Sequence, residues 1–261
     1  MSLDRPVRRF EWPTFEGVWN KEFTLFKRYW ASTTFSSVVQ PTIYLLAFGL
    51  GVGTLVATID GISYVEYVGT GTVATAVLFA SAFPGMFATF VRRVFQRSYD
   101  AVLSAPVSVD ELVTAEGSWL AAKAGVYGTV PLVVTFFFGL APTWGMLTVP
   151  FIGFLTGLGF AFFGMWVSSV VKTIDAFTYV TSAVLTPLFL VAGTFFPITN
   201  LPPALQTLAQ LNPLYHCVQL VRDASFGWQP LADLGHVTFL TGFAVAMWLL
   251  AIRGLRAKLI G

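Results

Sequence analysis

The sequence predicts an all-α integral membrane protein. Only 11% of its 261 residues are charged, its mean hydropathy is +0.73, and six apolar stretches are each long enough to cross a bilayer, which takes roughly 20 helical residues. A soluble domain carries about 25% charged residues. This chain lacks the polar groups to cover a water-facing surface.

The six stretches lie at 34–57, 67–91, 118–140, 144–171, 176–198 and 234–253. Within them a helix is the practical answer, because hydrocarbon offers no partner to an open backbone. A β-barrel needs alternating polarity, and the run 130–140 shows none. No internal repeat, low-complexity tract or flexible linker divides the chain, so residues 1–261 are read as one domain.

Lysine and arginine placement sets the orientation. Arg5, Arg8, Arg9, Lys21, Lys27 and Arg28 precede the first stretch, and Arg92, Arg93 and Arg97 follow the second. Lys172 follows the fourth, and Arg253, Arg256 and Lys258 end the chain. The connections on the other side hold only Arg222, a ratio of thirteen to one. Both termini are therefore expected in the cytoplasm. Lys123 falls inside the third stretch near its cytoplasmic end. Its stem can snorkel to the interface there, or its charge can serve coupling or substrate binding.

Segment 13–30 is too polar to span. Phe15, Val18, Trp19, Glu22, Phe23, Phe26, Tyr29 and Trp30 recur at spacings of three and four, and all but Glu22 are apolar or aromatic. Lys21, Lys27 and Arg28 flank this stripe. The pattern fits a helix lying in the cytoplasmic interface with its basic groups toward anionic headgroups. A short helix packed on protein is the alternative.

The connection 92–117 is the longest on the basic side. Tyr99, Val102 and Leu103 share one face of a short helix that Pro106 stops. Ser108, followed by Asp110 and Glu111, reads as the N-cap and acidic first turn of the next helix. A short amphipathic helix projecting from a membrane domain suits the docking of a partner. On the opposite side, 199–233 is expected to hold two helices too short to span. Leu201, Leu205, Leu208 and Leu211 mark the first, introduced by Pro202 and Pro203. The second runs from Tyr215 to a C-cap at Gly227.

Several chemistries are excluded. None of the five lysines follows a glycine, so the chain has no phosphate-binding loop. The run Gly49-Leu50-Gly51-Val52-Gly53 lacks dinucleotide-binding spacing and reads as close packing or a flexible helix end. Cys217 alone cannot form an intrachain disulfide, and His216 and His236 are too few for a histidine-rich metal site. The spans hold no paired carboxylates and no nucleophile–base set, which argues against a proton-driven carrier and a membrane-embedded lipid enzyme. The charged, aromatic first 30 residues predict no cleavable signal peptide. Gly153 and Gly157 form a small-xxx-small pair for close helix packing. Trp144 and Trp166, near opposite ends of the fourth stretch, fit an aromatic belt.

One set of residues is more specific. Gly193-Thr194-Phe195-Phe196-Pro197, then Leu201-Pro202, Asn212-Pro213-Leu214-Tyr215 and Val221-Arg222, resemble the order that follows the fifth span in type-2 ABC exporter permeases. The run from Arg97 to Ser108 is similar to that family's connection between its second and third spans. The resemblance covers nearly the whole chain. It points to the branch holding the permease of the rhizobial nodulation-factor (lipooligosaccharide) exporter and the daunorubicin-type drug exporters.

The resemblance implies a type-2 ABC permease fold: six transmembrane helices, an N-terminal interfacial helix and short external re-entrant helices. It implies a non-catalytic permease of the cytoplasmic (inner) membrane, working as a homodimer above two ABC ATPase subunits. This chain then binds no cofactor, and ATP and Mg are used by the partner ATPase. Membrane lipid surrounds it, and no nucleic-acid partner is expected. The ATPase-coupling residues implied are Arg97, Tyr99, Asp100, Val102 and Leu103. The interfacial helix contributes Trp19, Lys21, Phe23, Phe26 and Trp30. Phe189, Phe195, Phe196 and Pro197 stand at the exit gate, where aromatic rings can stack on sugars, slide past acyl chains, or simply fill space. The cargo implied is an amphipathic lipid-linked glycan, polysaccharide or lipooligosaccharide, with a hydrophobic drug as the alternative.

Overall fold

The computed structural model describes residues 12–56, 58–59 and 61–260. Arg5, Arg8 and Arg9 of the charge asymmetry lie outside the described residues, as does Ala57 at the end of the first stretch.

The helices expected separately at 13–30 and 34–57 are one. Helix α1 spans Trp12–Tyr44 and runs on through a π-helical stretch, Leu45–Gly51, into a 3-10 turn at Val52–Thr54. Ala31, Ser32 and Thr33 carry no proline or glycine, so nothing interrupts the ladder between the two pieces. The three-glycine run falls at the helix end, as its composition implies.

A two-residue hairpin, β1 Thr58–Ile59 against β2 Ile62–Ser63, turns at Gly61 with φ +81°. Helix α2, Tyr64–Phe90, starts on a reciprocal Ser63–Glu66 capping box. It ends in a π-helical turn, Val91–Phe95. Arg97, at φ 49°, reverses the chain into α3, Ser98–Leu103.

Helix α4, Val109–Gly128, begins on a Ser108–Glu111 capping box, inside the expected connection 92–117 rather than at 118. Helix propensity and the cap extend the element beyond its apolar part, which is why hydropathy placed its start too late. Helix α5, Val130–Phe136, completes the third stretch. A 3-10 turn at Trp144–Thr148 leads into α6, Val149–Val170.

The fifth stretch departs most from expectation. Helices α7, Ala176–Val180, and α8, Thr186–Leu190, flank a π-helical turn at Thr181–Leu185. Helical structure stops at Leu190 instead of 198. Gly193, at φ +81°, then bends the chain toward Pro197, breaking a helix that hydrophobicity alone would continue. Helix α9 spans Pro203–Gln210 and α10 spans Pro213–Phe226, the latter capped by the Asn212 side chain and ended by Gly227. Helix α11, Pro230–Leu259, outruns the expected 234–253 at both ends.

Among the described residues, four helical runs are long and apolar enough to cross a membrane: Tyr64–Phe95, Val109–Phe136, Trp144–Val170 and Pro230–Leu259. Shorter apolar helices, Thr42–Thr54 and Ala176–Leu190, occupy the first and fifth expected stretches. The protein is an all-α, multi-pass membrane protein.

Helix α6 lies centrally, packed on α2, α4 and α11. Glycines set these distances. A Cβ added at Gly164 would lie 2.5 Å from the Ala82 carbonyl oxygen, and one at Gly85 would lie 2.6 Å from that of Ala161. Gly157 faces Ala124 and Gly153 faces Gly125, so the small-xxx-small pair does pack a neighbour, α4. In lipid such close contact supplies the dispersion energy that the hydrophobic effect supplies in water.

Candidate coupling junction and aromatic cleft

The arginine-rich end of the bundle carries a junction of four elements. Glu22 on α1 and Glu116 on α4 are both buried, with side chains 6% and 3% exposed. Arg92, in the π-helical turn after α2, reaches between them. Its Nη1 lies 2.9 Å from an oxygen of each, and its Nη2 donates to Glu22 Oε2 at 2.9 Å. Lys21 Nζ stands 3.5 Å from Glu22 and 3.4 Å from Glu116. The buried Tyr99 hydroxyl of α3 donates to Glu116 Oε2. Burial foremost, with the neighbouring Glu116 carboxylate, holds that hydroxyl well above its usual range, so it remains a donor.

The wider π turn sends consecutive arginines to different helices. Arg92 serves α1 and α4, while Arg93 Nη2 donates to the Ser168 carbonyl near the end of α6 at 2.7 Å. That placement satisfies a carbonyl the helix leaves open and puts positive charge at its negative end.

Of the sequence-predicted coupling residues, Tyr99 is the buried root of α3. Val102 and Leu103 pack with it against Val18 and Leu112. Arg97 and Asp100 are exposed. From the N-terminal stripe, Trp19 donates to Ser118 Oγ at 3.0 Å, and Trp19, Phe23 and Phe26 all set ring edges against Trp119 of α4. The stripe thus packs on protein at Val18, Trp19 and Phe26, while Tyr29, Trp30, Lys27 and Arg28 remain exposed, and Lys21 turns toward the Glu22 and Glu116 carboxylates. Trp30, exposed, takes no part in the junction. Lys123 is half-buried within electrostatic reach of Glu22 and Arg92. Glu22, Arg92 and Glu116 were not singled out from the sequence. The available signal was Glu22, the one carboxylate in an otherwise apolar stripe.

At the other end, the unwound segment after α8 is held by side chains from α2 and α10. Arg222 Nη2 donates to the Gly193 carbonyl at 2.7 Å, and the Tyr67 hydroxyl donates to the same oxygen at 3.1 Å. Tyr64 donates to the Phe195 carbonyl at 3.2 Å, and Asn212 Nδ2 to the Leu188 carbonyl at 2.6 Å. Non-helical backbone at such a place persists only when its polar groups find partners like these.

Beside this segment, between the end of α1 and α8, opens a cleft of about 660 Å³. Tyr44, Phe48, Val52, Val56, Ile59 and Tyr64 line one side, and Phe189, Leu190, Phe195, Phe196, Pro197, Thr199 and Asn200 the other. Phe48 and Phe195 pack with centroids 4.4 Å apart, and Phe189 meets Phe195 edge-on at 5.6 Å. No lining residue is charged. Its volume falls within the roughly 300–1,000 Å³ typical of small-molecule sites. All four residues expected at the exit gate line this one cleft. Among the described residues, no group of three or more His, Cys, Asp or Glu could hold a metal ion.

A family model described as "ABC-2 type transporter" matches residues 14–226. The chain is 33% identical to "Nodulation protein J" of Rhizobium meliloti (strain 1021) over 93% of each chain. It is 31% identical to the protein of that name from Rhizobium leguminosarum bv. viciae, over 93% of this chain and 94% of that one. It is 27% identical to "Inner membrane transport permease YadH" of Escherichia coli (strain K12), over 93% and 96%. A helical membrane bundle with a rooted short helix at its basic end and an uncharged cleft at the other thus carries a family match from α1 through α10: the chain belongs to the ABC-2 type transporter family, as a non-catalytic transport permease.

Proposed function

We propose that this chain is the permease of an inner-membrane exporter powered by a separate ABC ATPase, and that its cargo is an amphipathic lipid-linked glycan, polysaccharide or lipooligosaccharide. It crosses the membrane six times, with both termini in the cytoplasm. Two copies pair, and two ATPase subunits, which bind ATP and Mg, dock beneath them. Helix α3 is the coupling helix, with Arg97 and Asp100 toward the ATPase. The residues 199–233 form external re-entrant helices beside the exit, and Phe189, Phe195, Phe196 and Pro197 belong to the exit path. ATP binding closes the ATPase pair and displaces α3, which shifts the permease between inward-open and outward-open states. The energy comes from unequal affinity of ATP for the two states.

One observation carries this reading: α3 presents an exposed polar face at the arginine-rich end while its root, Tyr99, is tied to α4. The cargo class rests on the relatives named nodulation protein J and on the uncharged, aromatic cleft, which suits acyl chains and the apolar faces of sugars. The test is ATP hydrolysis by the permease copurified with its ATPase and reconstituted in liposomes. A synthetic lipooligosaccharide is expected to stimulate turnover. Stimulation by an anthracycline drug alone would move the cargo to the hydrophobic-drug class. Failure of any ABC ATPase to copurify would overturn the subunit assignment.

A further inference from the structure

We infer that Glu22, Arg92 and Glu116 are positioning residues for energy coupling: a buried charge clasp that makes the starts of α1 and α4 and the end of α2 follow α3 as one body. This rests on α3 being the coupling helix and adds how its displacement reaches the bundle.

The geometry supports it in three ways. First, one guanidinium serves two buried carboxylates on two different helices, each 2.9 Å from the same Nη1. Moving α1, α2 or α4 alone would break at least one of the two 2.9 Å Arg92 contacts and leave a buried carboxylate with at most Lys21, at 3.4–3.5 Å. Parting a buried charge from its partner is strongly unfavourable, so the cluster resists independent motion. Second, α3 is bonded to this cluster directly, through Tyr99 and Glu116, and not only packed beside it. Third, Arg93 carries the linkage to α6 through the Ser168 carbonyl, so the central helix is joined to the same unit.

Stability does not explain the cluster. Well-packed apolar residues in place of a buried ion pair are often as stabilising or more so. What an apolar cluster lacks is directional, all-or-none contact: dispersion contacts slide, whereas an ion pair in low dielectric is either made or broken. A rigid relay from a docking helix needs the second property.

The test is hydrogen exchange on the permease–ATPase complex, nucleotide-free against trapped with ATP, Mg and vanadate. In the native complex, trapping is expected to change protection together in α3, the first turns of α1 and the first turns of α4. Arg92→Gln is expected to confine the change to α3, and Arg92→Lys to restore part of the wider response. Tyr99→Phe, which removes one hydroxyl and keeps the ring, is a second variant for the case that Arg92→Gln does not fold. It too should separate α3 from α4. A native complex in which only α3 responds would overturn the clasp and leave the coupling helix standing. A native complex in which α3 itself does not respond would overturn both. Variants that lower protection equally with and without nucleotide would show the cluster to be structural only, and would overturn the inference.

Discussion

The Arg222 guanidinium lies over the Tyr67 ring, its Cζ 3.6 Å from the centroid, while its Nη2 donates to the Gly193 carbonyl. One side chain thereby joins α10, α2 and the unwound segment after α8. Arg222→Gln removes both the stacking and the charged donor. A hydrogen bond to a charged group contributes about 1.5–3 kcal/mol, and a cation over a ring about 0.5–2 kcal/mol. The variant is expected to melt at lower temperature and to become protease-sensitive near residues 191–197. Arg222→Lys should recover only part of the loss, because an ammonium lacks the flat face that stacks. Limited proteolysis with a thermal melt checks both variants.

The α2–α6 seam predicts a pair of opposite outcomes. Gly85→Ala places a Cβ 2.6 Å from the Ala161 carbonyl oxygen, so the helices must part. Such overpacking costs about 1–3 kcal/mol. Gly242→Ala, on α11, meets nothing within 4 Å and removes a flexible residue from a helix interior. It should be neutral or stabilise by up to about 1 kcal/mol. Thermal unfolding of both variants in one detergent measures the contrast.

Asp223 makes the seam between α10 and α11 sensitive to pH. Burial, then the hydrogen-bonded Asp233 carboxyl, pushes Asp223 up to about 7, with Arg222 opposing. His236 also stands near Asp233, and His216 meets His236 at 2.7 Å between Nδ1 atoms. A carboxyl raised in the fold is held protonated there, so its contribution is complete below the ordinary carboxylate range near 4. It is lost as pH rises through about 7. The seam is therefore expected to loosen on going from mildly acidic to alkaline conditions. Asp223→Asn should flatten that dependence. Hydrogen exchange in α10, corrected for intrinsic pH effects, provides the readout.

Orientation has a direct check. Single cysteines replacing Arg97 and Arg256 are expected to react with a membrane-impermeant maleimide only in inside-out vesicles. One replacing the exposed Leu55 should react in intact cells. Labelling of Arg97→Cys and Arg256→Cys from opposite sides would contradict six crossings.

Composition and order along the chain determine the environment of this protein, and with it the helical class. Long apolar runs dictate membrane helices because lipid leaves the backbone no other partner, and Ser108 with Glu111 marks a helix start in any context. The Asn212–Pro213 signal was legible for the same reason: it constrains the backbone locally. Tyr99 was legible from its face on a short helix, but its partner was not. Glu22, Arg92 and Glu116 are far apart along the chain, and the value of each charge depends on which helices meet. Only the tertiary structure decides that, since burial turns a lone carboxylate from a liability into one side of an ion pair. The same holds for the joining of 13–30 to the next helix and for the early end of the fifth stretch. Hydropathy records what lipid tolerates, whereas neighbouring side chains decide where a helix continues or unwinds.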